Sequence, residues 1–400
     1  MKGCAAFQGI TDNLEEKAKA LWSIGYEKDK FVLLETVLML SFLEPQMNSV
    51  YNACSWLDFG FTIAESMGIH RSASALGVST KDKGRVKRLW WTLAVRDAYC
   101  ATLLGRPFRI NIAHCDMPML DLEDFASESE GQSIDSALYQ IHVARLSMIA
   151  RTIAERRFHS KEVQTNLSDL QRDLRMWKMQ IPSELSSASA NPQSKIFATS
   201  LELLYHQHVI LLHFDRAHDR LSSPSLSRSC GTHPLENAVI AAQAISSCAT
   251  SLVTTHTTNK LPHEVFTGFF MSGIVYYRQI HAPDLLMSQV ARASLDNCRM
   301  LLHEIRDAWD PAHWSIRIFD FLLSRAQAPA RPTLEDGVGQ QFDTNGPNTM
   351  DASLGELAQN DPILGQSDFS SPSYWPTLDL SIPDSFDDFL LMPNFFIPGA

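Results

Sequence analysis

The chain has 400 residues, 45% apolar and 20% charged, so it carries enough apolar side chains for a real core and is no low-complexity filament. Its net charge of −11 is confined to one end: no Lys, Arg or His follows Arg331, whereas eleven acids do, leaving 34 acids against 34 bases in residues 1–331. A neutral body is not the electrostatic footprint of a nucleic-acid binder, and the most apolar runs, Phe31–Leu43 and Val265–Tyr277, fall short of the ~20 residues a bilayer span needs, so no membrane is expected.

Leu14, Ala18, Leu21 and Trp22 recur at helical spacing, and Phe31, Leu34, Leu38 and Leu40–Leu43 define a second, strongly apolar helix before Pro45. Trp56, Phe59, Ile63 and Met67 predict a third helix with those four residues on one face, closed by Gly68 as a left-handed cap. A loop follows, and the next periodic run starts near Arg85 with Val86, Trp90, Leu93 and Asp97 along one face. It stops at Gly105 and Pro107, and the proline pushes Arg106 into an extended conformation. Lys81, Lys83, Arg85, Lys87 and Arg88 read as a solvated loop and helix start, and the acidic, Ser-rich stretch Asp121–Ser133 as an exposed loop. Further helices are predicted over Ala137–Arg156, Leu167–Ile181, Ile196–His213, Leu235–Thr255, Pro262–Ile280, Asp284–Trp309 and Ile316–Arg325. Alternating strand patterns are nearly absent. The expected fold is therefore all-α, a multi-helix domain over 1–326 with a disordered acidic tail.

Residues 327–370 lose periodicity in favour of Pro, Gly, Asn, Gln, Asp and Ser, the composition of a disordered linker. Residues 371–400 interleave acids with aromatic and aliphatic residues: Trp375, Phe386, Asp387, Asp388, Phe389, Leu390, Phe395 and Phe396 carry the pattern of an activation segment. Acids keep such aromatics solvated until a partner groove accepts them as a short amphipathic helix; folding back onto the body is the alternative.

Sites for chemistry are hard to find. Gly337-Val338-Gly339 lacks a third glycine, no phosphate loop or nucleophile elbow is present, and His263-Glu264 and His303-Glu304 lack the second histidine of a zinc-protease motif, Thr267 and Asp307 standing there instead. His206, His208, His213, Asp215 and His218 cluster, but His208 points about 200° away from His206 on a helix, so the reading is surface histidines and no metal site. The seven cysteines, Cys4, Cys54, Cys100, Cys115, Cys230, Cys248 and Cys298, form no C-x-x-C pair and suit a reduced compartment. Asp97 differs: a carboxylate in an apolar stripe needs a partner, and Arg106, Arg71 and Arg88 are the candidates. No catalytic residue, metal ligand or cofactor is assigned.

Trp56–Arg71, ending Gly68-Ile69-His70-Arg71, resembles the helix and turn of the fungal-specific transcription factor domain, the middle regulatory region of zinc-cluster regulators. Arg85–Trp91, with Arg88, Trp90 and Trp91, is similar to that family's basic-then-Trp helix start. Asp97, Gly105-Arg106-Pro107 and the exit Asp116-Met117-Pro118 also match, the last in shortened form. Ala20–Glu44 resembles the cutinase-regulator branch, and Tyr205–His213 a later family helix, which recasts the histidines as scaffold.

The resemblance covers about residues 10–325. It implies a nuclear, non-enzymatic transcription regulator of a metabolic or biosynthetic gene cluster, with general coactivators as partners of the tail. Family members read DNA through six N-terminal cysteines holding two zinc ions, but Cys4 is the only cysteine here before Cys54. Zinc is therefore expected only in a missing N-terminal domain. DNA would be reached through such a domain, or indirectly through a homo- or heterodimer with zinc-cluster regulators. The alternatives are a dominant-negative or co-regulator without DNA binding of its own, or a helical small-molecule-binding or tailoring protein.

Overall fold

The computed structural model describes residues 14–42, 51–72, 80–126, 134–158, 166–185, 191–213, 234–281 and 284–327, except 15, 105, 308 and 310. The linker from 328 and the acidic segment 371–400 lie outside the described residues, as does Gly105. The fold is all-α, with no strand among the described residues. Helix α1 covers 16–23. It is followed by α2 (Lys30–Leu40), α3 (Ala53–Met67), α4 (Thr80–Leu104), α5 (Ile134–Phe158), α6 (Leu167–Met179), α7 (Pro192–His213), α8 (Pro234–Thr254), α9 (Phe266–Ile280), α10 (Leu285–Ile305) and α11 (Pro311–Gln327). The chain divides after Phe321; of the second unit, Leu322–Ser381, only the last turns of α11 are described.

Helix α4 is the spine of the N-terminal half. Its stripe Val86, Trp90, Leu93 and Asp97 is buried, as the spacing predicts, and packs toward α3 and α5. It begins at Thr80, earlier than the apolar period near Arg85, and its Gly84 sits against the Asp124 backbone, where a Cβ would overlap the carbonyl oxygen. The buried face of α3 is rotated from the expected one. Trp56, Leu57, Gly60 and Ala64 are inside, whereas Phe59 is exposed and Ile63 and Met67 are half-buried. Gly60 is the reason: a Cβ there would lie 3.2 Å from Leu93 and 3.3 Å from Val37, so the small residue admits both neighbours. Trp22 of α1 covers the edge of this face, meeting Trp56 edge-on at 5.7 Å.

The stretch after Pro118 is no plain exposed loop. Leu122–Phe125 forms a 3₁₀ turn closed by a capping box between Asp121 and Asp124, with Phe125 buried. In the C-terminal half, α8, α9 and α10 pack mutually, and α8 also lies along α7. Helix α8 is long and apolar enough to cross a membrane by length and composition, but its Ala238, Ala242, Ile245 and Ala249 are fully buried against these neighbours. Gly273 of α9 lets the Phe319 ring of α11 approach the helix backbone. Pro311 starts α11 five residues earlier than periodicity suggests, at a position where a missing N–H costs nothing.

Candidate functional site

The family-like motifs fall into three groups along α4. The first is the turn after α3. Asn52 caps that helix by accepting from the Cys54 and Ser55 N–H groups at 3.0 and 3.2 Å. At the other end Gly68 adopts φ 73°, a region L side chains avoid, and its N–H returns to the Ala64 and Glu65 carbonyls. This turn delivers His70 and Arg71 to the exit segment. The Asp116 N–H donates to the His70 carbonyl at 3.2 Å, the Ser72 N–H donates to Asp116 Oδ1 at 2.7 Å, and Arg71 Nε reaches the same oxygen at 3.2 Å. Trp91 Nε1 donates to the Pro118 carbonyl at 2.8 Å, and the His70 ring lies 6.4 Å from that of Trp90.

The second group is basic. Arg88 donates to the Asp124 carbonyl and lies over the Phe125 ring. Lys87 is buried, not solvated as expected, and its ammonium bridges Asp121 and Asp124. These bonds lift the Lys87 pKa against the opposing effect of burial and lower that of Asp121. Arg85 pairs with Glu35 of α2 at 2.6 Å. Arg85, Lys87 and Arg88 of the basic run are thus braces to neighbouring elements.

The third group centres on Asp97, which is 4% exposed. Its partner is Arg151 of α5, at 2.7 Å, and not Arg106, Arg71 or Arg88. Arg88 and Arg71 are engaged with Asp124 and Asp116. The carboxylate also accepts from the Arg109 and Ile110 N–H groups at 3.0 and 3.1 Å. Arg151 donates in turn to the Ala94 and Ile110 carbonyls and stacks on Phe108. One carboxylate therefore fixes α4, α5 and the chain leaving Arg106-Pro107. Sequence reading missed Arg151, although it follows Ala144 and Ser147 at helical spacing on the buried side of α5, the same signal that singled out Asp97. It also missed Arg96, 1% exposed, which donates to Ser41 and lies between the rings of Phe42 and Tyr99.

A cleft of about 140 Å³ opens beside the Asp97 brace, lined among others by Cys54, Leu57, Cys100, Ala101, Arg106 and Phe108. Burial raises the Cys54 thiol pKa, with Arg106 and Arg109 opposing that effect.

Of the histidine cluster, Asp215 and His218 lie outside the described residues, and His206, His208 and His213 are not exposed. His208 and His213 are buried in α7, because both sides of that helix are covered. Desolvation pushes His208 down to about 4, and it bonds the Leu204 carbonyl. His206 and Lys178 both meet Glu202, whose carboxyl falls to about 2 under their hydrogen bonds. Among the described residues no group of three His, Cys, Asp or Glu is placed to hold a metal.

With this geometry in view, residues 5–207 match the fungal specific transcription factor domain. The chain belongs to that family. Among curated relatives, cutinase transcription factor 1 alpha of Fusarium vanettenii is 27% identical over 77% of this chain and 35% of its own length. The acetamidase regulatory proteins of Aspergillus fumigatus and Emericella nidulans are 26% and 24% identical, over 76% and 82% of this chain and 39% and 40% of theirs. The chain thus spans well under half the length of these regulators. No solved structure matches it.

Proposed function

We propose that the chain is the regulatory portion of a nuclear transcription regulator, non-enzymatic, with a helical body over 1–326, a linker over 327–370 and an activation segment over 371–400. The observation that carries this is where the family motifs sit. Gly68, His70, Arg71, Asp97, Trp91, Asp116 and Pro118 brace α3, α4, α5 and the exit segment to one another, a scaffold role that suits a regulatory domain. The alignment with named regulators over three quarters of the chain supports the same reading.

In this proposal general coactivators bind the acidic-aromatic segment through Trp375, Phe386, Phe389, Leu390, Phe395 and Phe396, with Asp387 and Asp388 keeping it solvated. DNA is reached through a dimer with a zinc-cluster regulator, or through a zinc-binding segment outside these 400 residues. Control of a metabolic or biosynthetic gene cluster follows by analogy with the cutinase and acetamidase regulators. Fusing residues 371–400 to an unrelated DNA-binding domain tests the activation claim. Reporter transcription is expected, lost when Phe386, Phe389 and Phe395 become alanine; a silent wild-type fusion would overturn it.

A further inference from the structure

Three arginines lie in or beside the cleft at Asp97: Arg151, Arg109 and Arg106. Asp97 is matched by Arg151 at 2.7 Å, and Arg109 at the rim is matched by Asp58 at 2.8 Å. Arg106 has no carboxylate partner among the described residues. Its guanidinium lies near Cys54, and burial keeps that thiol neutral at pH 7, so Cys54 supplies no counter-charge. Among the described residues these three arginines face two carboxylates, Asp97 and Asp58, and Arg106 shares the field of Asp58 with Arg109. The same lining holds hydrocarbon, with Leu57 and Ala101 buried and Phe108 half-buried, and the Asp97 carboxylate, which Arg151 engages.

A half-buried guanidinium and apolar side chains lining one cleft fit an amphiphilic anion, because the planar fork matches two carboxylate oxygens. The volume, about 140 Å³, is close to that of the engineered apolar cavity of about 150 Å³ that accepts benzene. A phosphate dianion fits poorly. It would outweigh the single excess charge, and the backbone donors that helix N-termini usually offer phosphates are taken here, since Asn52 holds the Cys54 and Ser55 N–H groups.

We propose that this cleft binds a small monocarboxylate of roughly six to nine heavy atoms, its carboxylate forked on Arg106 and its hydrocarbon part against Leu57, Ala101 and Phe108. Such an occupant would touch both α3 and α4, which gives the regulatory body an input. That significance rests on the regulator reading, but binding itself does not: a silent tail fusion would leave the site standing, and a failed binding test would leave the tail standing.

The test uses the purified full chain with benzoate and butyrate as probes, benzamide and butyramide as neutral matches, and inorganic phosphate as the other anion. Cys54 alkylation, followed by peptide mass spectrometry, reads occupancy. At about ten times Kd the acid is expected to slow Cys54 alkylation about tenfold and to raise Tm, with the amides and phosphate doing neither. Arg106→Gln should abolish the protection, and so should Ala101→Leu, which fills the cleft without touching the charge; each is scored only with wild-type far-UV circular dichroism. The wild-type panel decides by itself if both variants misfold. No protection by either acid, equal protection by the amides, protection by phosphate alone, or wild-type protection in folded Arg106→Gln would each overturn the proposal.

Discussion

Helix α4 buries two ions one residue apart, and its two sides treat them differently. On the side of α5, Asp97 meets Arg151 and two backbone N–H groups, so charge cancels charge. On the side of residues 41–42 and 263–267, Arg96 lies 4.0 Å from Glu264, donates to Ser41 and has the rings of Phe42 and Tyr99 at 4.0 and 5.3 Å. The first arrangement is a close ion pair; the second sets a longer carboxylate contact beside a carbonyl and π faces. The lesson concerns what a deletion leaves behind. Removing Arg151 strands a buried carboxylate, whereas removing Arg96 takes a donor from the Ser41 carbonyl and a cation from Glu264, whose side chain keeps some access to water.

That difference sets the order of expected effects. Arg151→Met should cost about 3–5 kcal/mol, the usual penalty for breaking a buried ion pair from one side. Adding Asp97→Asn should recover part of the loss, because an amide needs no counter-charge. Urea unfolding of the full chain measures both; a double variant no more stable than the single would show that the pair acts through shape and not charge. Arg96→Met should cost less, about 1–3 kcal/mol, since the methionine stem still fills the slot between Phe42 and Tyr99 while the Ser41 carbonyl loses its donor. If Arg96→Met proved as damaging as Arg151→Met, Arg96 would be held as an ion pair and the two sides of α4 would be alike.

How much of this was legible follows from range. The inner face of α4 could be read from Val86, Trp90 and Leu93, and a charge within that stripe announced a buried partner. The partner's identity could not be read locally. Arg106, Arg71 and Arg88 were near in sequence, whereas Arg151 arrives from another helix, 54 residues on. Large side chains also misled: on α3 they pointed to Phe59, Ile63 and Met67, while the close approach is made at Gly60, where nothing projects. In α7 burial on several sides erases the period that would separate buried His208 from half-buried His206. The candidate cleft depends on which cations are already spent, and only pairing distances reveal that.

Smaller effects sharpen the contrast at its edges. Tyr99 shares a hydrogen bond with Thr267 at 3.1 Å, tying the Arg96 side of α4 to the segment that starts α9. Tyr99→Phe keeps the ring over Arg96 and should cost only about 0.5–1.5 kcal/mol; a larger loss would mean the hydroxyl, not the ring, organises that side.

Arg71→Ala should cost least, about 0–1 kcal/mol, because Arg71 and Asp116 are both more than half exposed and water already screens them. Asp116→Ala should exceed it, since the same carboxylate also accepts the Ser72 N–H at 2.7 Å and that donor would lose its partner. In 1 M NaCl the Arg71→Ala effect should vanish while the Asp116→Ala effect persists, as screening reaches an exposed ion pair but not the need of a backbone donor for an acceptor. An Arg71→Ala loss that survives high salt would place this turn with the Asp97 brace, as a fixed joint of the body and not a surface contact.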